Sequence, residues 1–296
     1  MHLDLVVVGL VVGLLVGLTG MGGGALLTPL LVLFFQVAPL AAISSDLLAS
    51  LVMKPVGAAV HLRYRSVNWR LVRWLTVGSV PAAFAGAVIV GSIGHAPAMQ
   101  ADLKLAIGGA LCASIGMTLL RQLLDRRANH RGEHKEGPPL IRPLRTVVIG
   151  VISGLAVGMT SVGAGSLIIA SLLVVYPQLR PAQLVGTDMV QAIPLVAAAT
   201  VGHLLYGDVH LAVTISLLLG ALPGVYLGAR LSARGPAALI RPVIPAVLLA
   251  SALALLKVPT PMLIGAAVAG LVMMVLLSVP QPPAGSLRQP DPVDAA

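Results

Sequence analysis

Long apolar runs alternate with short polar stretches along almost the whole chain. We distinguish eleven apolar segments, and most are long enough to cross a bilayer as a helix, which takes about 20 residues. Their limits are 3–19, 24–36, 39–61, 71–93, 101–120, 144–161, 166–176, 181–205, 209–229, 237–257 and 261–279. Apolar and polar residues do not alternate within these runs, as the strands of a transmembrane β-barrel would require. The pattern therefore predicts an all-α polytopic membrane protein.

The chain also repeats itself at an offset of 142 residues. Between 23–87 and 165–229 no gap is needed, and 16 of the 65 aligned pairs are identical. The identical pairs include Gly23/Gly165, Pro39/Pro181, Asp46/Asp188, His61/His203, Tyr64/Tyr206, Gly78/Gly220, Pro81/Pro223 and Gly86/Gly228. Apolar composition alone does not place an aspartate and a histidine at the same offset. Such repeats are typical of transporters, whose sites lie where the two halves meet.

The repeat and the charges divide the chain into parts. We predict a first transmembrane repeat over 1–120, a second over 146–257 and an additional C-terminal helix over 258–279. A basic linker with seven Lys and Arg residues covers 121–145. The tail at 280–296 is rich in proline and polar residues, so we expect it to be disordered.

The basic residues predict the orientation of the segments. If all eleven cross and the N-terminus lies outside, 16 of the 19 Lys and Arg residues are cytoplasmic, including those of the linker and the C-terminus. Five crossings in each repeat make the second repeat inverted relative to the first. The loop at 63–73 is strongly basic, whereas its counterpart at 206–210 has no Lys or Arg, which agrees with inversion. In a rival topology the segments 24–36 and 166–176 are re-entrant, and three arginines within 230–241 lie outside.

The composition fits a membrane protein and argues against other classes. Charged residues make up 10% of the chain and hydrophobic residues 57%, whereas about 25% of a soluble domain is charged. The net charge of +9 comes from short loops between apolar runs, so we expect no binding of nucleic acid. Because Cys112 is the single cysteine, a multi-cysteine metal site is excluded. We expect neither a metal nor a cofactor.

Two glycine-rich turns precede the shortest apolar segments. They cover 19–24 and 160–166, and the segments that follow are short for a hydrocarbon core of about 30 Å. We therefore expect broken helices near the membrane midplane, where unwound backbone must be buried or line a cavity. Glycine permits the close approach of a ligand, and a helix N-terminus attracts an anion. The alternative is that these glycines serve close helix packing.

The candidate substrate-binding residues come from these turns and from nearby hydroxyl groups. They are Thr19, Gly20, Gly22, Gly23, Gly24, Thr28, Ser45, Ser161, Gly163, Gly165, Ser166 and Thr187. The paired Asp46 and Asp188 lie inside apolar segments, where a carboxylate usually marks a transport pathway. We predict that they couple transport to protons. The alternative is that each caps a helix or binds a neighbouring hydroxyl near the interface.

Three further residues are secondary candidates. Lys54 lies within an apolar segment, where it could bind the charge of the substrate or extend to the interface. Eight residues separate it from Asp46, about 12 Å along a helix, so a direct pair is not expected. His61 and His203 could relay protons, but their position at the ends of segments favours an interfacial structural role.

The glycine turn of the first repeat and two runs of the second resemble a known family. The run Gly-Met-Gly-Gly-Gly-Ala-Leu-Leu-Thr-Pro-Leu-Leu, at 20–31, resembles the first-repeat signature of the TauE/SafE family of sulfite exporters. The runs at 181–188 and 219–228 resemble the second-repeat signature, and the resemblance covers roughly 5–257. It implies a multi-pass inner-membrane permease for small sulfur anions such as sulfite, thiosulfate or organosulfonates.

These observations favour a secondary transporter of a small sulfur-containing anion, coupled to a proton or another ion and working by alternating access. Its partners would be the substrate anion, the coupling ion and the lipid bilayer. An anion or metabolite channel is the first alternative. An intramembrane aspartyl protease with Asp46 and Asp188 as its dyad is chemically sound, but the chain lacks the Gly-x-Gly-Asp context of that family. A scaffold or sensor would not explain the duplicated turns, and we predict no enzymatic activity.

Overall fold

All regular secondary structure is helical in the part of the chain that its computed structural model describes. The described residues are 3–19, 24–63, 67–131, 140–163, 165–179, 181–209, 211–234, 243–259, 261–262, 265, 268–270 and 272. The helices are α1 (Leu3–Thr19), α2 (Gly24–Leu33), α3 (Pro39–Arg63), α4 (Trp69–Ile93), α5 (Pro97–Arg131), α6 (Pro143–Thr160), α7 (Ser166–Val175), α8 (Pro181–Tyr206), α9 (Leu211–Arg234) and α10 (Val243–Leu255). The predicted all-α class is confirmed. Most of the predicted last segment at 261–279, and the tail after it, lie outside the described residues.

Six of the described helices are long and apolar enough to cross a membrane. The apolar stretches are Pro39–Val56, Trp69–Ile93, Met99–Leu120, Pro143–Thr160, Gln183–Tyr206 and Leu211–Gly228. Large apolar side chains such as Val77, Ile89 and Leu219 are exposed on their outer faces, as expected of a surface that contacts lipid. The structure therefore agrees with a multi-pass membrane protein.

Some helices extend beyond the predicted apolar segments because charged residues continue them. α5 ends at Arg131, eleven residues beyond the apolar segment that stops at 120. The added residues are mainly Leu, Arg, Gln and Ala, which are good helix formers although many are polar. α9 likewise continues to Arg234. The predicted linker thus begins as helix, and its residues 132–139 lie outside the described ranges.

Two pairs of helices approach closely through glycine. On α4 and α6 the facing residues are Leu75 with Gly150, Ser79 with Gly154, and Ala83 with Gly158. On α1 and α9 they are Gly9 with Leu217, Gly13 with Ala221, and Leu10 with Gly224. The residue numbers rise together in each pair, so α4 runs parallel to α6 and α1 runs parallel to α9. Small residues at these contacts let the helix backbones touch.

α3 and α8 lie at the centre of the bundle and run antiparallel. Ser44, near the start of α3, contacts His203, near the end of α8. Ala58, towards the end of α3, packs with Met189 and Val190 near the start of α8. The apolar stretches of these two helices are the most buried of the six, so they form the inner part of the core.

α6, the turn after it and α7 form a hairpin. Tyr176 directly follows α7 and is almost completely buried. Its hydroxyl accepts a hydrogen bond from the Arg142 backbone N–H at 2.9 Å and shares one with the Thr146 hydroxyl at 2.6 Å. Since Arg142 directly precedes α6, the end of α7 returns to the level at which α6 begins. α8 therefore starts on the same side of the bundle as α6.

Candidate functional site

The second glycine turn separates α6 from α7. Ser161 follows α6 in the left-handed conformation, with a φ of 58°. Gly163 and Gly165 have φ values of 104° and 106°, which residues with a Cβ rarely adopt. The described residues of the turn are buried, so the chain here is non-helical in the interior. In the first turn, Gly20, Gly22 and Gly23 lie outside the described residues, as does the side chain of Thr19 at the end of α1, and Gly24 begins α2.

Asp46 connects three parts of the structure. It lies in α3, is fully buried, and its Oδ2 accepts hydrogen bonds from the Thr28 hydroxyl of α2 at 2.6 Å and from the Ser161 hydroxyl at 2.8 Å. The Ser50 hydroxyl lies 3.5 Å from Oδ1. A hydrogen bond to a charged group contributes about 1.5–3 kcal/mol. The carboxylate therefore fastens the second turn to α2 and α3, rather than capping its own helix.

Asp188 lies at the opposite end of the same turn. It belongs to α8 and is buried. A Cβ added to Gly165 would lie 3.5 Å from its Oδ2, so the carboxylate packs against the Cα atom of this glycine. Because Ser161 meets Asp46 and Gly165 meets Asp188, the turn extends from one aspartate to the other. The fold thus places the two acidic residues that the repeat pairs at the two ends of one turn.

Lys54 adds a positive charge to this region. Its side chain is only 7% exposed, and its ammonium group interacts electrostatically with the carboxylates of Asp188 and Asp46. Such burial does not fit the alternative that the Lys54 side chain extends to the membrane interface. We call Asp46, Lys54, Asp188 and the turn at 161–165 the two-aspartate site.

The other predicted hydroxyl residues have different surroundings. The Thr187 hydroxyl accepts a hydrogen bond from the Asn68 backbone N–H at 3.0 Å and so joins the start of α4 to α8. The hydroxyl of Ser166, at the start of α7, shares a short hydrogen bond with that of Ser114 in α5. Ser45 is fully buried, and its Oγ has no hydrogen-bond partner among the described residues. Ser45 therefore keeps its hydroxyl hydrogen for a ligand, and so does Thr187, which only accepts in its contact with Asn68.

His203 lies in the interior of the bundle. It is fully buried, with Nδ1 2.8 Å from the Ser44 hydroxyl and Nε2 2.9 Å from the Gly158 carbonyl oxygen. Polar partners on α3 and α6 thus hold the ring inside the bundle, and the interfacial structural role stays a prediction. His61 lies in α3, and its side chain falls outside the described residues.

The sequence did not reveal several partners of the candidate residues. Ser50 follows Asp46 by four residues, so the helical period could have identified it. Ser44, Ser114 and Asn68 touch their partners through contacts between helices distant in sequence. No spacing rule along one segment predicts such contacts.

The two-aspartate site combines the groups needed to bind an anion and to exchange a proton. The Lys54 ammonium can attract an anion. With both carboxylates ionised, however, the three side chains carry one net negative charge. A proton on either carboxylate removes that excess, so the charge of the site changes with its protonation.

Comparisons with known proteins point to membrane transporters. Residues 5–255 match the family model described as "Sulfite exporter TauE/SafE". The chain is 36% identical over 239 residues to "Probable membrane transporter protein YjnA" of Bacillus subtilis, covering 79% of this chain and 91% of that protein. It is 26% identical over 229 residues to YdhB of the same organism, covering 76% and 88%. It is 25% identical over 236 residues to MJ0441 of Methanocaldococcus jannaschii, covering 75% of this chain and 82% of that protein. YdhB and MJ0441 are also described as "Probable membrane transporter protein". No solved structure matches the chain significantly.

Proposed function

Because the chain belongs to the TauE/SafE sulfite exporter family, we propose that this membrane transporter carries a small sulfur-containing anion across the cell inner membrane together with protons. The observation that carries the proposal is the two-aspartate site, in which two buried carboxylates and a buried lysine lie around a break between helices. Ionisable residues inside a membrane protein are costly, and they commonly mark the path of a substrate or a proton.

The proposed mechanism includes two inverted halves. At the offset of 142 residues, α3 corresponds to α8, and these central helices run antiparallel. Likewise α1 corresponds to α6 and α4 to α9, and each half contributes one helix to each of the two parallel pairs. The hairpin of α6 and α7, which starts α8 on the side where α6 begins, agrees with this arrangement. Rocking of such halves about a site between them gives alternating access.

In this proposal Lys54 and the second turn bind the anion. The buried ammonium supplies the charge, and the Ser45 hydroxyl is a further donor. Backbone N–H groups at the start of α7 add to them, except that of Leu167, which already donates to the Gly163 carbonyl at 3.1 Å. The first glycine turn would contribute the equivalent groups from the other half.

The charges of the site give a reason for proton coupling. An anion that enters while both carboxylates are ionised meets a net negative charge, whereas one proton leaves Lys54 free to bind it. We assign this proton to Asp188. The hydroxyls of Thr28 and Ser161 donate to Asp46 at 2.6 and 2.8 Å, and such hydrogen bonds favour the ionised form of that carboxylate. Asp46 then acts as a positioning residue that holds the second turn.

Uptake into proteoliposomes tests the proposal. Purified protein would be supplied with radiolabelled sulfite, thiosulfate or a simple sulfonate, with and without an imposed pH gradient. We expect saturable uptake of one of them, accelerated by the gradient and lost in Asp188→Asn and Lys54→Gln. His95→Gln, at an exposed position after α4, is the matched control and should retain uptake. If folded, inserted protein takes up none of the three, the substrate class is wrong; non-saturable flux without counterflow acceleration would favour the channel.

A further inference from the structure

We infer that His203 is a second proton-binding site, and that its proton fastens α6 to α3 and α8 beside the second glycine turn. The part of this inference that concerns transport rests on the proposed function, whereas the binding of the proton does not. The binding of the proton is inferred from the number of hydrogen atoms that the contacts of the ring require.

The neutral ring cannot provide each of these contacts with a hydrogen of its own. The Gly158 carbonyl oxygen can only accept, so Nε2, 2.9 Å away, carries a hydrogen. Nδ1 of a neutral ring then has a lone pair and must accept from the Ser44 hydroxyl at 2.8 Å. However, the Ser44 Oγ also lies 2.8 Å from the Leu40 carbonyl oxygen, one helical turn earlier. A single hydroxyl hydrogen would have to be shared between the two acceptors, which leaves neither with a full hydrogen bond.

A second proton on the ring removes this conflict. The proton comes from solution and binds the lone pair of Nδ1, which then donates to the Ser44 Oγ. The hydroxyl hydrogen of Ser44 turns to the Leu40 carbonyl, and all three short contacts become hydrogen bonds. Hydrogen bonds from a charged donor are about twice as strong as neutral ones. The protonated ring therefore holds α3 and α6 together more firmly than the neutral ring.

Along the chain, the charged residues nearest to Ser44 and His203 are acidic. On α3, Asp46 lies two residues after Ser44, and Asp208 follows His203 by five residues beyond α8. α7 has no ionisable side chain, and α4 meets α8 at this level with Phe84 and Ala87. The charged residues of α4 and α6 are Arg70, Arg73 and Arg145, at the N-terminal ends of these helices. They lie at least about 16 Å along the helices from the contacts with α8 at this level, so these arginines do not oppose a positive ring at close range.

The bond to Gly158 connects this proton with the two-aspartate site. Gly158 lies near the end of α6, three residues before Ser161, which donates to Asp46. A Cβ on Gly207 would lie 2.9 Å from both His203 Nδ1 and Ser44 Oγ, so the chain packs tightly over the hydrogen bond. Protonation of His203 thus steadies the end of α6 that presents Ser161 to Asp46, and deprotonation loosens it.

Nitrogen NMR of the histidine rings tests proton binding directly. The protein would be labelled with 15N-histidine and studied in lipid nanodiscs between about pH 5 and about pH 8. We expect one resonance to change from the neutral form with hydrogen on Nε2 to the doubly protonated form, and this resonance to be missing in His203→Gln. A His203 ring that stays neutral over the whole range would overturn the inference.

The pH dependence of uptake tests the link to transport. The ratio of initial rates at about pH 5.5 and about pH 7.5 should change at least about fivefold in His203→Gln and Ser44→Ala. Ser44→Thr retains a hydroxyl and should restore the wild-type ratio, and His95→Gln should not alter it. A wild-type ratio in His203→Gln would overturn the link. If the ring titrates but the wild-type protein transports none of the anions, the proposed function fails while the proton site stands.

Discussion

At the scale of single residues, Asp46 and Asp188 are equivalent in the sequence repeat but differ in their neighbours. Asp46 accepts hydrogen bonds from Thr28 and Ser161, whereas Asp188 packs against the Cα atom of Gly165. Identical residues in two repeats therefore need not have identical roles. The difference comes from the residues that surround each carboxylate.

The hydrogen bonds of Asp46 should stabilise the fold measurably. Thr28→Val keeps the shape of the side chain but removes one donor, so a buried acceptor loses a partner. We expect the free energy of unfolding to fall by about 1–3 kcal/mol, as measured by denaturation in detergent micelles.

Ser92→Ala provides the control for this measurement. The Ser92 hydroxyl is exposed and donates to carbonyl groups of its own helix, so its removal should change stability by no more than about 0.5 kcal/mol. Equal effects of the two substitutions would contradict the assigned role of Asp46.

At the scale of helices, the close pairs α1 with α9 and α4 with α6 determine how the bundle packs. Gly154 shows the constraint: a Cβ there would lie 2.7 Å from the Ser79 Cα and 2.9 Å from its carbonyl carbon. Because both neighbours are backbone atoms, no change of rotamer can relieve the contact. The helices would have to move apart.

Gly154→Ala should therefore destabilise the protein by about 1–3 kcal/mol, in spite of the higher helix propensity of alanine. Gly109 in α5 is the matched control, since a Cβ there would meet nothing within 4 Å. Gly109→Ala should be neutral or slightly stabilising. Thermal unfolding of both variants in the same lipid would check this, and a destabilised Gly109→Ala with an unaffected Gly154→Ala would refute the packing.

The helices could largely be predicted from the sequence, but their contacts could not. Apolar runs mark the part of a helix that lies in the membrane, so the limits of α1, α3 and α8 were close, whereas the polar end of α5 was missed. The repeat identified Asp46 and Asp188 as a pair. Their meeting at the second turn depends on how helices from the two halves pack, which the periodicity of a single segment does not contain.

At the scale of the whole molecule, the directions of the helices predict which loops share a side of the membrane. Leu140 precedes α6, and Ser232 lies at the end of α9. α8 starts on the side of the bundle where α6 begins. If α8 crosses the membrane and α9 crosses back, Leu140 and Ser232 lie on the same side. The inverted topology assigns that side to the cytoplasm, because it carries most of the arginines.

Cysteine labelling tests this topology. In a Cys112→Ser background, Leu140→Cys and Ser232→Cys should react with a membrane-impermeant maleimide only after the cells are permeabilised. Asp208→Cys, between α8 and α9, should react in intact cells. Labelling of Ser232→Cys in intact cells would instead support the topology with re-entrant segments.

Coupled proton movement tests the central claim most directly. Proteoliposomes that enclose a pH-sensitive dye would receive an inward gradient of a simple sulfonate, which is fully ionised at neutral pH and carries no titrating proton of its own. We predict that the lumen acidifies as the sulfonate enters, and that both movements are lost in Asp188→Asn but not in His95→Gln. Entry of the sulfonate without acidification, or acidification that persists in Asp188→Asn, would contradict proton coupling at the two-aspartate site.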